Sequence, residues 1–431
     1  MSGSSSIAAL RSGGGNVAPQ LEPLVIRPMS RRFLIIFCGL LLTSNAFSTD
    51  ILLPALFSMQ QAFAAPVEQV QIAMPLFIFA SAFGQIVYGP ASDRFGRKPV
   101  LLTGLAIYTV AALIALAAQS LGVLLFARAL QGFGSAAGIV LGRAILRDTH
   151  AGAELAQSMA MAMAVITLGP VLSPLAGTGL VALGGWQSVF GAMALFGMGL
   201  AAVTIWKLDE TNKALRADAL DRRELRVAFK RVLSHPQSRF FLFVAAALGF
   251  TIISFIAHAP RFFRSTFGIE GIRFAAMFAL LGMGIVVGQI FNTQSIRRYG
   301  VLTTTRVAAA ILVVVTALMA VLTATGAIGA IGFGVLMLVF NGAFLSMMAN
   351  AASLTIDPHA EIAGLASSVY GFVTQLVPGA MALATLPLIQ GELTIWAGLA
   401  TVIAVCVFAA LARYQPVTDQ TLAVLHVNPE R

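Results

Sequence analysis

The feature that most constrains this chain is a series of apolar stretches, each about 20 residues long, that recur along nearly the whole sequence. That length crosses the hydrocarbon core of a bilayer as a helix. Hydrophobic residues make up 58% of the chain and charged residues only 10%, whereas soluble domains carry about 25% charged residues. The runs are continuous rather than alternating, which predicts helices instead of barrel strands. The sequence therefore predicts an all-α polytopic membrane protein and excludes a soluble domain.

Twelve transmembrane helices are predicted from these runs. They cover residues 33–57, 70–91, 99–118, 121–144, 156–182, 186–206, 239–260, 272–295, 301–324, 327–352, 361–386 and 391–413. A long, highly charged segment separates six spans from the other six and is expected to be partly helical. The predicted organisation is a disordered cytoplasmic N-terminal tail (1–32), an N-terminal six-helix bundle (33–206), a cytoplasmic linker (207–238), a C-terminal six-helix bundle (239–413) and a cytoplasmic C-terminal tail (414–431).

The distribution of basic residues predicts the orientation in the membrane. Of the 27 Lys and Arg residues, all but four lie in or next to the tails and the even-numbered loops. The exceptions are Arg128, inside a span, and Arg261, Arg264 and Arg273 on the opposite side, for which the sequence offers no explanation. Because cytoplasmic loops are enriched in Lys and Arg, both termini are expected to be cytoplasmic. The net charge of +10 thus reflects topology, and no nucleic-acid partner is expected.

A short internal repeat relates the two halves. The segment "GQIVYGPASDRFG" (84–96) aligns with "GQIFNTQSIRRYG" (288–300), and the copies share Gly-Gln-Ile at the start and Arg and Gly near the end. Both copies end the second helix of a six-helix half. Two halves related in this way are the plan of a carrier that rocks around a central site.

Five motifs give the chain a family resemblance. "GPASDRFGRK" resembles the loop signature G-x-x-x-D-R-x-G-R-K of the major facilitator superfamily, matched by Gly89, Asp93, Arg94, Gly96, Arg97 and Lys98. "STDILLPAL" (48–56), "RALQG" (128–132), "GRAILRD" (142–148) and "GPVLSPLAG" (169–177) are similar to the Bcr/CflA branch of drug:proton antiporters. The resemblance implies the major facilitator fold, with twelve helices as two pseudo-symmetric six-helix bundles.

The loop signature is interpreted as a cytoplasmic latch. Gly89 permits close helix approach, Gly96 permits a tight turn, and Asp93 can accept hydrogen bonds from nearby arginines. The resemblance implies that the cluster joins the two halves when the carrier faces outward. The alternative is an ordinary basic cytoplasmic loop, which would explain the positive charges but not the glycines or the aspartate.

Asp50 is the candidate proton-carrying carboxyl. It is the only acidic residue placed inside a predicted span, the span ends aside, and intramembrane acids are functional candidates because their charge is costly to bury. The alternative places it at the wetted outer end of helix 1 with a structural role. Some relatives carry a second acid two turns toward the cytoplasm, where this chain has Leu42. This departure implies simpler coupling or weaker recognition of cations.

Arg128 is the second candidate for proton coupling. It forms a helix 4 motif with Gln131 and Gly132, and their spacing puts the three residues on one helix face. The resemblance gives Arg128 a role in proton coupling, electrostatically linked to Asp50. Alternatively, Arg128 snorkels from the outer end of its helix to water.

Helix 5 carries a candidate hinge motif formed by Gly169, Pro170, Pro174 and Gly177. The prolines remove backbone hydrogen bonds and bend the helix, and the glycines are expected to permit close packing against the other half. The usual glycine pair of exporters is replaced here by Ser173 and Pro174. An ordinary kinked helix is the alternative.

Two further polar sets are left with open roles. Possible substrate-cavity residues, which could equally bond one helix to another, are Asn45, Asn341, Asn350 and Gln375. Three charged residues lie at the cytoplasmic end of helix 4: Arg143, Arg147 and Asp148. They could form gate contacts between the halves or could equally be incidental surface charges.

Together these features predict a proton-coupled multidrug efflux transporter that exports hydrophobic or amphipathic molecules by alternating access. No G-x-x-x-x-G-K-[ST], H-E-x-x-H or G-x-S-x-G motif occurs, so neither ATP-driven transport nor an enzyme is expected. We expect no cofactor beyond the proton gradient and no metal site, and a monomer in the bacterial inner membrane. Its partners are expected to be lipid, protons and a drug-like or metabolite substrate. Open alternatives are a narrow-specificity metabolite exporter and a non-transporting receptor or assembly protein.

Overall fold

The computed structural model describes residues 29–217 and 219–415, and within these ranges all regular structure is helical. The first half contains α1 (Arg31–Asp50), α2 (Leu56–Phe63), α3 (Val67–Gln71), α4 (Ala73–Phe95), α5 (Arg97–Leu116), α6 (Leu121–Thr149) and α7 (Gly152–Lys207). The rest contains α8 (Arg222–Ser234), α9 (Pro236–Phe267), α10 (Gly271–Tyr299), α11 (Val301–Ala324), α12 (Ala330–Ile356), α13 (Ala363–Ile389) and α14 (Leu393–Arg413). Residues 1–28 and 416–431, which make up most of the two predicted tails, lie outside the described ranges.

The described helices supply twelve membrane crossings. Eleven helical stretches are long and apolar enough to cross a bilayer, and one of them, Gln157–Lys207, has 51 residues. At 1.5 Å per residue that stretch would be about 75 Å long, far more than the roughly 30 Å hydrocarbon core. The backbone leaves the helical region at Gly184 and Gly185, where Gly185 has a φ of 69°. α7 is therefore two crossings, 152–183 and 186–207, and the predicted number of twelve is confirmed.

The first crossing differs from the continuous span that was predicted for residues 33–57. α1 ends at Asp50, a 3-10 turn covers Leu53–Ala55, and α2 then begins at Leu56. Pro54 lies within that turn and has no backbone N–H to continue the α1 ladder. The interruption leaves Asp50 at the C-terminal end of α1.

The internal repeat corresponds to matching geometry in the two halves. Gly96 ends α4 with a φ of 98°, and Gly300 ends α10 with a φ of 79°. A Cβ on Gly84 would lie 2.6 Å from the Ala136 side chain of α6, and a Cβ on Gly288 would overlap the α12 backbone. The second helix of each half thus packs on the fourth through an equivalent glycine, which confirms two pseudo-symmetric bundles.

The halves meet mainly where α4 packs on α13 and where α7 packs on α10. Near the helix ends that the basic loops predict to be cytoplasmic, a Cβ on Gly89 would lie 3.2 Å from Ser368 Oγ. Toward the outer ends, a Cβ on Gly379 would lie 3.2 Å from Phe79. Contacts between α4 and α13 therefore exist at both ends of the interface. The linker helix α8 packs on the second half, where the Phe229 ring lies 5.8 Å from that of Phe372.

Candidate functional site

Asp50 is buried inside the N-terminal bundle rather than wetted at a helix end. It is 3% exposed, and Thr49 Oγ1 donates a hydrogen bond of 3.2 Å to its carboxylate. Within residues 29–217 and 219–415, no basic side chain forms an ion pair with it. As the last residue of α1 it also lies at the negative end of a helix dipole. An unpaired carboxylate in this position is costly, so the neutral, proton-bearing form is favoured.

Arg128 is fully buried and therefore does not snorkel. Its guanidinium donates to Gln131 Oε1 at 2.6 Å, to the Ser48 carbonyl at 3.3 Å and to the Ala73 carbonyl at 3.2 Å. It also stacks over the Phe77 ring at 4.2 Å from the centroid. These contacts connect α6 to both α1 and α4.

Arg128 reaches Asp50 through the end of α1 rather than by direct contact. The Ser48 carbonyl that accepts its hydrogen bond lies in the last turn of α1, two residues before Asp50. The last carbonyls of a helix lack intrahelical partners, and a cation there complements the helix dipole. The electrostatic link predicted from the helix 4 motif thus has a structural path, while its role in coupling stays a prediction.

Polar side chains of α1, α4, α5 and α6 are hydrogen-bonded to one another inside the same bundle. The Ser48 and Tyr108 hydroxyls are hydrogen-bonded at 2.6 Å. Asn45 Nδ2 donates to Ser81 Oγ at 3.0 Å and, more weakly, to Ser135 Oγ at 3.5 Å. Sequence reasoning named Asn45 but missed the serines and Tyr108, because hydroxyl residues are common in membrane helices and their partners are distant in the chain.

The glycines of the helix 5 motif, which lies in the first crossing of α7, pack on α1 of their own half. The prediction that they pack against the other half is therefore wrong. A Cβ on Gly169 would lie 2.9 Å from Thr43, and a Cβ on Gly177 would overlap the Ile51 carbonyl. Contact with the other half is made by Val171 and Pro170, which would lie 3.1 and 3.5 Å from a Cβ on Gly282. Gly177 therefore shapes the backbone immediately after Asp50, because only a residue without a side chain fits there.

The charged residues of the loop motif bond mainly within the first half. Arg97 is 8% exposed and donates to Asp93 at 2.5 Å, to Asp148 at 2.9 Å and to Ser92 Oγ at 2.6 Å. Lys98 Nζ donates to the Ile205 carbonyl at 3.0 Å. Arg94 is exposed beside Phe95. The motif touches the second half at Gly89, so the predicted latch role of the whole cluster stays a prediction.

Glu210 completes this cluster and was missed by the sequence analysis. Its carboxylate accepts hydrogen bonds from the backbone N–H groups of Arg97 at 2.8 Å and Lys98 at 3.0 Å. These are orphan donors at the start of α5, where a negative charge is stabilising. The signal in the sequence is weak, because Glu210 is one acid among several in the charged linker.

The remaining cavity candidates occupy different settings. Asn341 Nδ2 donates to the Leu281 carbonyl at 2.9 Å, and Asn350 exchanges amide hydrogen bonds of 3.2 Å with Asn292. Both residues therefore bond α12 to α10. Gln375 Oε1 is buried without a hydrogen-bond partner in the described part of the chain. Substrate contact by any of the three stays a prediction.

Two of the three outer arginines that the sequence left unexplained, Arg261 and Arg264, have partners in the structure. Arg261 forms an ion pair with Glu68 of the first half. Arg264 pairs with Glu270 at 3.1 Å and stacks over Phe57 at 4.6 Å. Arg261 and Arg264 thus join the two halves on the outer side.

Known proteins resemble the chain along most of its length. A bicyclomycin resistance protein homolog of Haemophilus influenzae is 26% identical over 339 residues, which cover 79% of this chain and 85% of the relative. Multidrug resistance protein D of Escherichia coli is 26% identical over 269 residues, 62% of this chain and 67% of the relative. Among solved structures, that of a D-xylose–proton symporter superposes with a TM-score of 0.76 at 13% identity, covering 90% of this chain and 98% of the symporter.

These matches agree with the motifs and with the two-bundle fold. The relatives named for bicyclomycin and multidrug resistance confirm the resemblance to the Bcr/CflA branch. The symporter supports the fold alone. The model of the Major Facilitator Superfamily matches residues 37–383. This chain belongs to the major facilitator superfamily.

Proposed function

We propose that this protein exports hydrophobic or amphipathic drug-like molecules in exchange for protons, with Asp50 as the proton-carrying carboxyl. The observation that carries the proposal is a buried acid with one hydrogen-bond donor and no cationic partner in the described part of the chain. Such a group binds a proton when sealed from water and releases it when hydrated. Membership of a family of carriers makes the protein a transporter rather than an enzyme.

In this mechanism the arrangement around α1 relays the state of Asp50. Gly177 allows the first crossing of α7 to pack against the backbone that follows Asp50, and Arg128 bonds to the last turn of α1. A change in the charge of Asp50 therefore acts on two helices at once, and Pro170 of α7 packs on the second half. The proton supplies about 2.3 kcal/mol per 100 mV, enough for roughly fiftyfold accumulation of a substrate.

The setting of the protein completes the proposal. It is a multi-pass membrane protein. Its relatives from bacteria support a bacterial inner membrane as its location, and its basic loops support a cytoplasmic position for both termini. It works as a monomer and needs no cofactor, because the proton gradient supplies the energy. Its relatives' names favour antibiotics as substrates.

The test is proton movement in energised inside-out vesicles monitored with a pH-sensitive dye. A panel of cationic, anionic, neutral and zwitterionic drugs is added to wild type, Asp50→Asn and the control Asp357→Asn, an exposed acid of the second half. We expect drug-triggered proton release by wild type and the control, and its loss in Asp50→Asn. Wild-type protein that moves no protons with any compound would contradict the proposal.

A further inference from the structure

A second polar site lies between the two halves on the cytoplasmic side. It is a cavity of about 240 Å³, and its polar lining consists of Gln85 on α4, Arg143 and Arg147 on α6, and Ser367 and Ser368 on α13. Arg147 reaches across the interface, since its Nη1 would lie 3.5 Å from a Cβ on Gly364. Both halves therefore contribute to this cavity.

The charge of the cavity is positive and uncompensated. Arg143 and Arg147 are one helical turn apart on the same face of α6, where two like charges repel each other. In the described part of the chain, neither guanidinium has a hydrogen bond or ion pair, and no acidic residue lines the cavity. Arg128 and Arg97, by contrast, each use several of their donors.

Of the two arginines, Arg143 lines this cavity and not the neighbouring one. Arg147 also lines a neighbouring cavity of about 180 Å³ that contains Asp93 and Glu361. Each of those carboxylates is paired with another arginine, Asp93 with Arg97 and Glu361 with Arg231. Arg147 is thus shared between the two cavities, whereas Arg143 lines only the first of them. Arg143 is therefore the arginine committed to this cavity.

An unused hydrogen-bond donor points to the same kind of ligand. Gln85 is 3% exposed, and its Nε2 has no partner in the described part of the chain. Its side chain is held in place, because a Cβ on Gly371 would overlap Gln85 Oε1. A buried amide donor without an acceptor is costly unless a ligand or water satisfies it. The guanidinium groups and this amide are all hydrogen-bond donors, so the cavity is suited to a ligand that is rich in acceptors.

The remaining walls are apolar. Ile139, Val140, Met159 and Ile356 cover the cavity away from the arginines. A polar anion such as inorganic phosphate would leave these walls without a partner, whereas an organic acid could place its carbon skeleton on them. Arginine forks also match carboxylate geometry.

We propose that this cavity binds the carboxylate of amphipathic organic acids, with Arg143 as the main anchor and Arg147 and Gln85 as supporting donors. The proposal rests on the proposed transport function, since it names the class of substrate that the carrier would export. The site selects substrates that carry a negative charge on an apolar body. A neutral analogue would keep the apolar contacts but leave the arginines unpaired.

Equilibrium binding to purified protein in lipid nanodiscs tests this without a proton gradient. The probes are nalidixic acid, at a pH where its carboxylate is ionised, and its uncharged methyl ester. We expect wild type to bind the acid about tenfold more tightly than the ester, as a charge-assisted hydrogen bond predicts. Arg143→Gln should lose about tenfold in affinity for the acid and little for the ester, with a smaller loss in Arg147→Gln.

Two variants separate site-specific loss from general damage. Arg298→Gln removes an exposed cytoplasmic arginine of the second half and should change neither affinity. Arg143→Lys keeps the positive charge but loses the planar guanidinium that can donate two parallel hydrogen bonds to a carboxylate. It should therefore retain part of the preference for the acid. Retained ester binding shows that a variant is folded. Wild type that binds the acid no more tightly than the ester, or an Arg143→Gln variant that loses both equally, would overturn the proposal. Proton release is read separately in vesicles, so either proposal can fail alone.

Discussion

At the scale of single residues, the site depends on the close approach of neighbouring helices at glycines as much as on charged side chains. Gly177 and Gly132 have no room for a side chain, because a Cβ would overlap the Ile51 carbonyl at one position and the Phe77 carbonyl at the other. The first contact shapes the backbone after Asp50, and the second brings Arg128 against α4. The motifs named both glycines, but the predicted partner of Gly177, the other half, was wrong, and no partner helix was predicted for Gly132.

Gly177→Ala should destabilise the N-terminal bundle and impair transport. The added methyl group must push α7 away from α1, and overpacking of this kind costs about 1–3 kcal/mol. The matched control is Gly179→Ala in the same crossing of α7, where nothing lies within 4 Å of an added Cβ. Thermal unfolding in detergent, followed by size-exclusion chromatography, measures the difference. Equal unfolding temperatures for the two variants would contradict the packing described here.

Arg128→Lys should abolish most proton-coupled transport even though the positive charge is kept. Lysine is a single point donor and cannot bond Gln131, the Ser48 carbonyl and the Ala73 carbonyl from one fixed plane. Drug-triggered proton release in inside-out vesicles provides the measurement, with Arg298→Lys as the exposed control. Full activity of Arg128→Lys would show that only charge matters at this position.

At the scale of helices, the turn between α4 and α5 is held by residues from several parts of the chain. Arg97 binds Asp148 at the end of α6, and Glu210 of the linker caps the first backbone donors of α5. The local pattern predicted the helices and the turn, because Gly96 and the flanking apolar runs are adjacent in sequence. It did not predict Glu210, whose partners precede it by more than a hundred residues.

Glu210→Ala should loosen the first turn of α5. Loss of a carboxylate cap costs about 1 kcal/mol, which is about fivefold in local opening. Hydrogen exchange of the backbone amides of Arg97 and Lys98 should rise by that factor. Asp209→Ala removes the neighbouring exposed acid and should leave these amides unchanged. Unchanged amide exchange in Glu210→Ala would show that Glu210 does not cap the first turn of α5.

At the scale of the whole molecule, the two halves touch on both sides of the membrane. Gly89 meets Ser368 toward the cytoplasm, while Glu68 pairs with Arg261 on the outer side. Hydropathy and the repeat were sufficient to predict two six-helix halves, while the orientation that the basic loops indicate stays a prediction. They could not predict the contacts between the halves, because these join residues from distant elements and depend on how the bundles are packed together.

Breaking the outer ion pair should shift the protein toward outward-facing conformations. Glu68→Gln removes the charge that holds Arg261 across the interface. Spin labels on Gln119→Cys and Thr325→Cys, in outer loops of opposite halves and in a Cys38→Ser, Cys406→Ser background, should report longer distances by double electron–electron resonance. The charge reversal Glu68→Arg with Arg261→Glu should restore the wild-type distances. Unaltered distances in Glu68→Gln would show that the pair does not hold the outer side closed.

The central claim is that Asp50 is the group that exchanges a proton for substrate. The most direct measurement compares two modes of transport by Asp50→Asn in proteoliposomes: exchange of labelled for unlabelled drug, and uptake driven by an imposed proton gradient. We predict that the variant no longer accumulates drug along the gradient, because its neutral side chain mimics the proton-bound acid and has no proton to give up in return for drug. Drug-for-drug exchange should fall as well, because the proton-bound and drug-bound states alternate in an exchange mechanism. Gradient-driven accumulation equal to that of wild type would contradict the account.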